Sequence, residues 1–277
     1  MSHSCKPIGI FDSGAGGLSV LSELLRLMPK EHYIYFADTA NCPYGPKPHS
    51  DIIKLVDAIT KFLLQKNCKL IVVACNTATA AAIDYLRANY PIPFVGMEPA
   101  IKPASQNTKT KSIGVLATAG TFKGRLYIET SRKYASDVNV CYQVGEGLVE
   151  LVETGKANSP EAEELLHRYV DPMIDCNIDH LVLGCTHYPF LKPVLNKILP
   201  ANVKVIDPSP AVVLQTQRIL HTNNLECVKE GNDTFTEVDF YSSGQINVLR
   251  QLLENNIEVD LPINVSYTDN VVLRHNL

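Results

Sequence analysis

No stretch of this chain approaches the ~18 consecutive apolar residues of a membrane-spanning helix, so that class of membrane protein is excluded. A basic block is missing too. Lys and Arg number 25 against 29 Asp and Glu, a formal net charge of −4, and neither nucleic acid nor an anionic membrane is expected as a partner. Residues Met1 to Pro7 carry no apolar core of a signal peptide, and a cytoplasmic location is expected. No C-x-x-C pair occurs among the eight cysteines, at 5, 42, 68, 75, 141, 176, 185 and 227, so all are expected as reduced thiols and no metal site is expected. Nucleotide loops are also lacking. There is no Gly-Lys-Ser/Thr, and Gly14-Ala15-Gly16 is not followed by the third glycine of the dinucleotide fingerprint, while Asp12 would face the phosphates. No lysine has a setting that suits pyridoxal phosphate, so any chemistry here is expected to be cofactor-free.

What the chain does contain is one element written twice. Val72-Val73-Ala74-Cys75-Asn76-Thr77 and Leu181-Val182-Leu183-Gly184-Cys185-Thr186-His187 are each an apolar run that reads as a buried strand, ending in a cysteine followed by hydroxyl and amide side chains. The flanks repeat as well. Ile8-Gly9-Ile10-Phe11 resembles Ile113-Gly114-Val115-Leu116, and Val95-Gly96-Met97-Glu98-Pro99-Ala100 resembles Val205-Ile206-Asp207-Pro208. The offsets are 113 − 8 = 105, 185 − 75 = 110 and 205 − 95 = 110, which points to duplication of a whole domain.

Strand and helix patterns alternate throughout. Strands are expected at 7–11, 32–36, 69–74, 93–97, 112–117, 138–142, 180–184, 203–206 and 238–241, followed by a last helix near Gln245 to Asn255. The fold class is therefore α/β, with two pseudo-symmetric domains, each a mainly parallel sheet flanked by helices. The expected division is 1–98 with 208–277 as a discontinuous first domain and 99–207 as the second, inserted one. Ligands of such sheets bind beyond the carboxyl ends of the strands, where Asp12, Asp38, Cys75, Thr118 and Cys185 would meet in a cleft between the domains.

Two thiols at equivalent positions of two halves suit a two-base reaction, one cysteine removing a proton from a carbon and the other returning one to its opposite face. Inversion at that carbon is the outcome. An amino acid α-proton is a very weak acid, so such a site must exclude water and place fixed donors around the substrate carboxylate. None of the motifs contains Lys or Arg. Helix N-termini, loop amides after Asp12, and the side chains of Ser13, Asn76, Thr77 and Thr186 are left for that task. His187 is a natural assistant for Cys185, and Asp12 for Cys75. The remaining motif, Asp38-Thr39-Ala40-Asn41-Cys42-Pro43-Tyr44-Gly45, reads on its own as a turn.

Asp12-Ser13-Gly14 with Gly16-Gly17, Pro43-Tyr44-Gly45, Cys75-Asn76-Thr77-Ala78-Thr79 and Gly184-Cys185-Thr186-His187-Tyr188-Pro189 together resemble the signature motifs of the glutamate racemase family, in the family's order, from about residue 7 to Phe240-Tyr241-Ser242-Ser243-Gly244. The resemblance implies a cofactor-independent enzyme interconverting L- and D-glutamate for peptidoglycan synthesis. It implies that Cys75 works on the α-hydrogen of D-glutamate and Cys185 on that of L-glutamate, with Asp12 and His187 assisting and Asp38 and Glu153 as further catalytic carboxylates. Glu153 lies in Leu148-Val149-Glu150-Leu151-Val152-Glu153, which departs from the family pattern at Glu150; of the two glutamates, Glu153 is the one the resemblance selects. Implied substrate contacts are Asp12, Ser13, Pro43, Tyr44, Gly45, Asn76, Thr77, Thr118, Thr121, Thr186 and His187. A homodimer is the expected assembly. Racemases of aspartate or other amino acids share the two-cysteine design. A two-lobed protein that closes on an acidic amino acid without chemistry is the alternative from another class.

Overall fold

The computed structural model describes residues 6–227, 236–256 and 263–273. Within them the expected alternation produces two wholly parallel sheets flanked by helices. The first contains β1 (Ile8–Asp12), β2 (Tyr33–Ala37), β3 (Leu70–Val73), β4 (Phe94–Gly96), β9 (Thr236–Ser242) and β10 (Ile263–Thr268), in the order β10-β9-β2-β1-β3-β4. The second contains β5 (Ser112–Ala117), β6 (Asn139–Val144), β7 (His180–Gly184) and β8 (Lys204–Ile206), in the order β6-β5-β7-β8.

The central strands are buried at every position, because helices cover both faces of a parallel sheet; that is why they read as unbroken apolar runs. The helices show the complementary pattern. In α2 (His49–Gln65), Ile52, Val56, Ile59 and Leu63 recur at helical spacing and turn one face into the core, while Lys54 and Lys61 lie outside. Helix α3 (Asn76–Asn89) follows β3, α7 (Leu148–Glu153) follows β6, and α1 (Leu18–Leu27) follows β1.

Duplication is visible in the register. Strand order β2-β1-β3-β4 in one sheet equals β6-β5-β7-β8 in the other. Phe11 pairs with Val73, and Leu116 with Leu183; the offsets are 116 − 11 = 105 and 183 − 73 = 110, those found in the sequence. One equivalence shifts. Val72 pairs with Val95 but Val182 with Ile206, so Val95 corresponds to Ile206 at 206 − 95 = 111, one residue beyond the Val205 that the apolar match suggested.

Strand β10 lies outside the expected elements. Its sequence Ile263-Asn264-Val265-Ser266-Tyr267-Thr268 alternates apolar and polar residues, the signature of an edge strand, and it pairs in parallel with β9, which in turn lies beside β2. A second departure concerns the cysteines. Cys227 is disulfide-bonded, whereas Cys42, Cys68, Cys75, Cys141, Cys176 and Cys185 are free thiols as expected; compartment sets the prior for thiols, but not which pairs lie close. Cys5 lies outside the described residues.

At the amino ends of the strands, Lys69 Nζ donates to Glu31 Oε2 at 2.6 Å, with side chains only 2% and 6% exposed. Glu31 Oε1 also accepts from the Cys227 amide at 2.9 Å.

Candidate active site

At the opposite, carboxyl ends of the strands the paired motifs meet. Asp12 closes β1 and is fully buried; Oδ1 accepts from the Ser13 amide at 2.7 Å and Oδ2 from the Gly17 amide at 2.8 Å. Thr186, from the other sheet's loop, reaches Asp12 Oδ2 with its hydroxyl at 3.5 Å. Cys75, 5% exposed, caps α3, its Sγ accepting from the Ala78 amide at 3.4 Å and lying 3.8 Å from Ser13 Oγ. Cysteine is an unusual helix cap. It holds the sulfur at the positive end of a 14-residue helix, at the position where a Ser or Asp side chain would ordinarily bond the helix amides.

Cys185, 6% exposed, follows β7, and its Sγ lies 3.7 Å from His187 Nδ1. The other ring nitrogen of His187 is 2.6 Å from Glu153 Oε1, which also accepts from the Ala15 amide at 2.6 Å. Glu153, and not Glu150, is therefore the carboxylate that the fold brings to this chain; Glu150 is exposed on the rim of two neighbouring cavities. Loop amides expected to hold a substrate anion are in fact occupied from within the protein, Ser13 and Gly17 by Asp12 and Ala15 by Glu153.

Asp38 is engaged by its own loop and by Ser243. Its oxygens accept from Tyr44 Oη at 2.5 Å, Asn41 Nδ2 at 2.9 Å and Ser243 Oγ at 2.6 Å, so it anchors the Pro43-Tyr44-Gly45 turn, and among the described residues it has no hydrogen bond to either cysteine. Gly45 packs towards Thr118, where an added Cβ would sit 3.3 Å from Thr118 Cβ. A ladder of hydroxyls joins the halves: Thr77 to Thr118 at 2.7 Å, Thr118 to Thr121 at 2.9 Å, and Thr121 to the Gly184 carbonyl at 3.4 Å. Asn76, 3% exposed, leaves both ends of its side-chain amide without a hydrogen-bond partner, an unusual cost for a buried side chain.

Three residues lie in the site that sequence reasoning did not select. Cys42 sits beside His187 and Glu153, although its position before Pro43 carries no signal of that contact. Gly14 and Gly16 leave room for the chain from the other half: an added Cβ would stand 2.0 Å from Glu153 Oε1 at Gly14 and 2.3 Å from His187 Nδ1 at Gly16.

Electrostatics separates the two thiols' surroundings. Burial, reinforced by the Asp12 charge, pushes the Cys75 thiol well above its usual range. Burial also raises Asp12, against the opposing pull of His187. For His187 burial disfavours the charge, but it is outweighed by hydrogen bonds to Cys185, Cys42 and Glu153 and by Asp12, which together hold its proton well above the ordinary value of 6.5. Burial raises Glu153, but the bond and the charge of His187, joined by the Ala15 amide and Cys42, together pull it below 4.5.

These shifts fix a pH window. His187 stabilises the fold fully below 6.5 and loses that contribution as pH rises through its raised folded-state value. Glu153 contributes fully above 4.5 and loses it as pH falls through its lowered one. Glu153→Gln is therefore expected to be less stable than the parent by about 2 kcal/mol, with the gap widest between pH 4.5 and 6.5 and narrowing on both sides. Urea midpoints across pH 3.5–9 check this; a constant gap would rule out the ion pair.

A family model described as Asp/Glu/Hydantoin racemase matches residues 8–216. Glutamate racemase of Herpetosiphon aurantiacus is 50% identical over 220 residues, covering 79% of this chain and 87% of that one. Among solved structures, the glutamate racemase isoform RacE1 of Bacillus anthracis superposes with a TM-score of 0.83 at 29% identity, covering 95% of this chain and 98% of the other. The Francisella tularensis glutamate racemase in complex with D-glutamate gives 0.78 at 30% identity, covering 95% and 97%.

Proposed function

The chain belongs to the Asp/Glu/hydantoin racemase family, and from that premise we propose that it racemises glutamate by proton transfer between two cysteines, supplying D-glutamate for peptidoglycan. The observation that carries this reading is the pair of buried thiols, each at the end of the equivalent strand of a duplicated sheet, with Asp12 beside Cys75 and His187 beside Cys185. The substrate class rests on the relatives, one of which holds D-glutamate.

In the L-to-D direction, Cys185 takes the α-hydrogen, breaking the Cα–H bond and forming S–H. Cys75 then gives its thiol hydrogen to the opposite face of the carbanion. The proton distribution supports that division. Cys75 is held as a thiol by burial, ready to donate, while His187 beside Cys185 keeps a proton of its own and is steadied by Glu153. Reversal begins from the state the first turnover leaves, with Cys185 protonated and Cys75 as the base, and Asp12 is its neighbour.

Carbanion formation requires the substrate carboxylate to take up charge in a place without water. The α3 N-terminus, the unpartnered Asn76 amide and the hydroxyls of Ser13, Thr77, Thr121 and Thr186 supply neutral donors there. Asp38 serves the site by holding Tyr44 in place. The domain division at 98/99 and 207/208 belongs to the same proposal.

Incubation of the purified protein in D2O with each enantiomer, without added cofactor, tests the reading. Loss of optical rotation and of the α-proton NMR signal from either enantiomer, with L-aspartate inert, is expected. Binding without exchange would instead indicate a two-lobed binding protein. Gly16→Ala is expected to cut kcat by about 100-fold, since it drives a methyl into the His187 ring and displacements of 1 Å are that costly. Initial rates, with circular dichroism to confirm folding, check it.

A further inference from the structure

Chain spacing gives no hint of a metal, yet folding brings Cys42 Sγ, a Glu153 carboxylate oxygen and a His187 ring nitrogen within 4.8 Å of one another. They come from the loop after β2, the end of α7 and the loop after β7. Cys42 and Glu153 also line a cavity of about 390 Å³ whose wall includes the exposed Glu150 and Gln245, so the cluster has a route to solvent, with His187 buried behind it.

We propose that Cys42, Glu153 and His187 form a binding site for a thiophilic divalent cation, zinc above all, and that its occupancy shuts down the racemisation proposed above, on which this second clause rests.

One sulfur, one nitrogen and one oxygen donor match zinc, which takes such ligands in tetrahedral array and commonly leaves its fourth position to water. Magnesium and calcium call for oxygen throughout. With bonds of about 2.0–2.3 Å, tetrahedral donors stand roughly 3.3–3.8 Å apart. The thiol must therefore draw in by no more than about 1.5 Å, while His187 and Glu153 part slightly from 2.6 Å. On binding, the thiol proton and the proton shared between His187 and Glu153 leave to solvent. The Ala15 amide remains on the carboxylate, an outer-shell donor of the kind that orients metal ligands. With the nitrogen that faces Glu153 on the ion, His187 can no longer hold the second proton that equips it to exchange one with Cys185, and activity stops without an ion touching either working thiol.

Cobalt(II) titration of the Cys75→Ala/Cys185→Ala variant reads the site independently of activity. The expected result is a cobalt–thiolate charge-transfer band at one ion per chain, displaced by zinc and lost when Cys42→Ala is added. Absence of the band, or its survival in Cys42→Ala, overturns the site. In the active protein, zinc should inhibit at the concentration at which it binds. Cys42→Ala should raise that concentration at least about 100-fold, since loss of an outer-shell group alone costs 10–100-fold. Zinc binding that leaves turnover untouched overturns the inhibition, whereas a protein that binds cobalt at Cys42 but racemises nothing overturns only the functional reading.

Discussion

Cys75→Ala and Cys185→Ala should each abolish racemisation of both enantiomers, with the rate falling by at least about 10³-fold, within the range lost when a positioned acid or base is removed. Each direction needs one thiol as base and the other as acid, so neither variant can complete an inversion. Their residual behaviour should differ by substrate. Any deuterium that still enters the α-position of glutamate in Cys185→Ala should enter D-glutamate, through Cys75, and in Cys75→Ala it should enter L-glutamate. The fold should survive, because both side chains are small and their sulfur contacts are long, 3.4–3.8 Å. NMR of each enantiomer in D2O with each variant gives four readings. Full inversion in any of them would end the two-base scheme.

The second large effect concerns stability. Lys69→Met should lower the unfolding free energy by about 3–5 kcal/mol and the melting temperature by the order of 10 °C, because it leaves the Glu31 carboxylate buried without its ammonium. Adding Glu31→Gln should restore much of the loss, since a neutral amide can still accept from the Cys227 amide. Turnover per folded molecule should be unchanged, as this pair lies at the amino ends of the strands, opposite the carboxyl ends that carry Cys75 and Cys185. A calorimetric scan of the two variants, with active-site titration, decides it. A single variant as stable as the parent would show that burial leaves this pair with no net worth.

Much of the fold was legible because its central strands are covered on both faces and therefore written as continuous apolar runs; β3, β5 and β7 fall within a residue or so of expectation for that reason. Strand β10 was missed, although Ile263-Asn264-Val265-Ser266-Tyr267-Thr268 alternates, because a short edge strand carries half the apolar signal of a central one. Local motifs revealed Asp12, Cys75, Cys185 and His187, each of which owes its place to a strand end. The choice of Glu153 over Glu150 required α7 to turn one of them toward His187, and Cys42 required three distant segments to converge. Contacts of that kind have no spacing to read. Glycines told a similar story: Gly14 and Gly16 are read from sequence as a turn, while their use is to make room for a histidine and a glutamate from the other half.

Two copies of an L-peptide chain can be superposed only by turning and shifting one onto the other, whereas L- and D-glutamate are related by reflection, which no such operation supplies. Duplication therefore cannot by itself furnish matching environments for the two enantiomers. In the two-cysteine scheme proposed above, the departures from exact repetition, an aspartate beside one thiol and a histidine with its glutamate beside the other, are where the difference in handedness would be absorbed. Since enantiomers have equal free energy in water, kcat/KM must be the same in both directions, but the unlike neighbours leave kcat and KM free to differ, each rising or falling in step with the other.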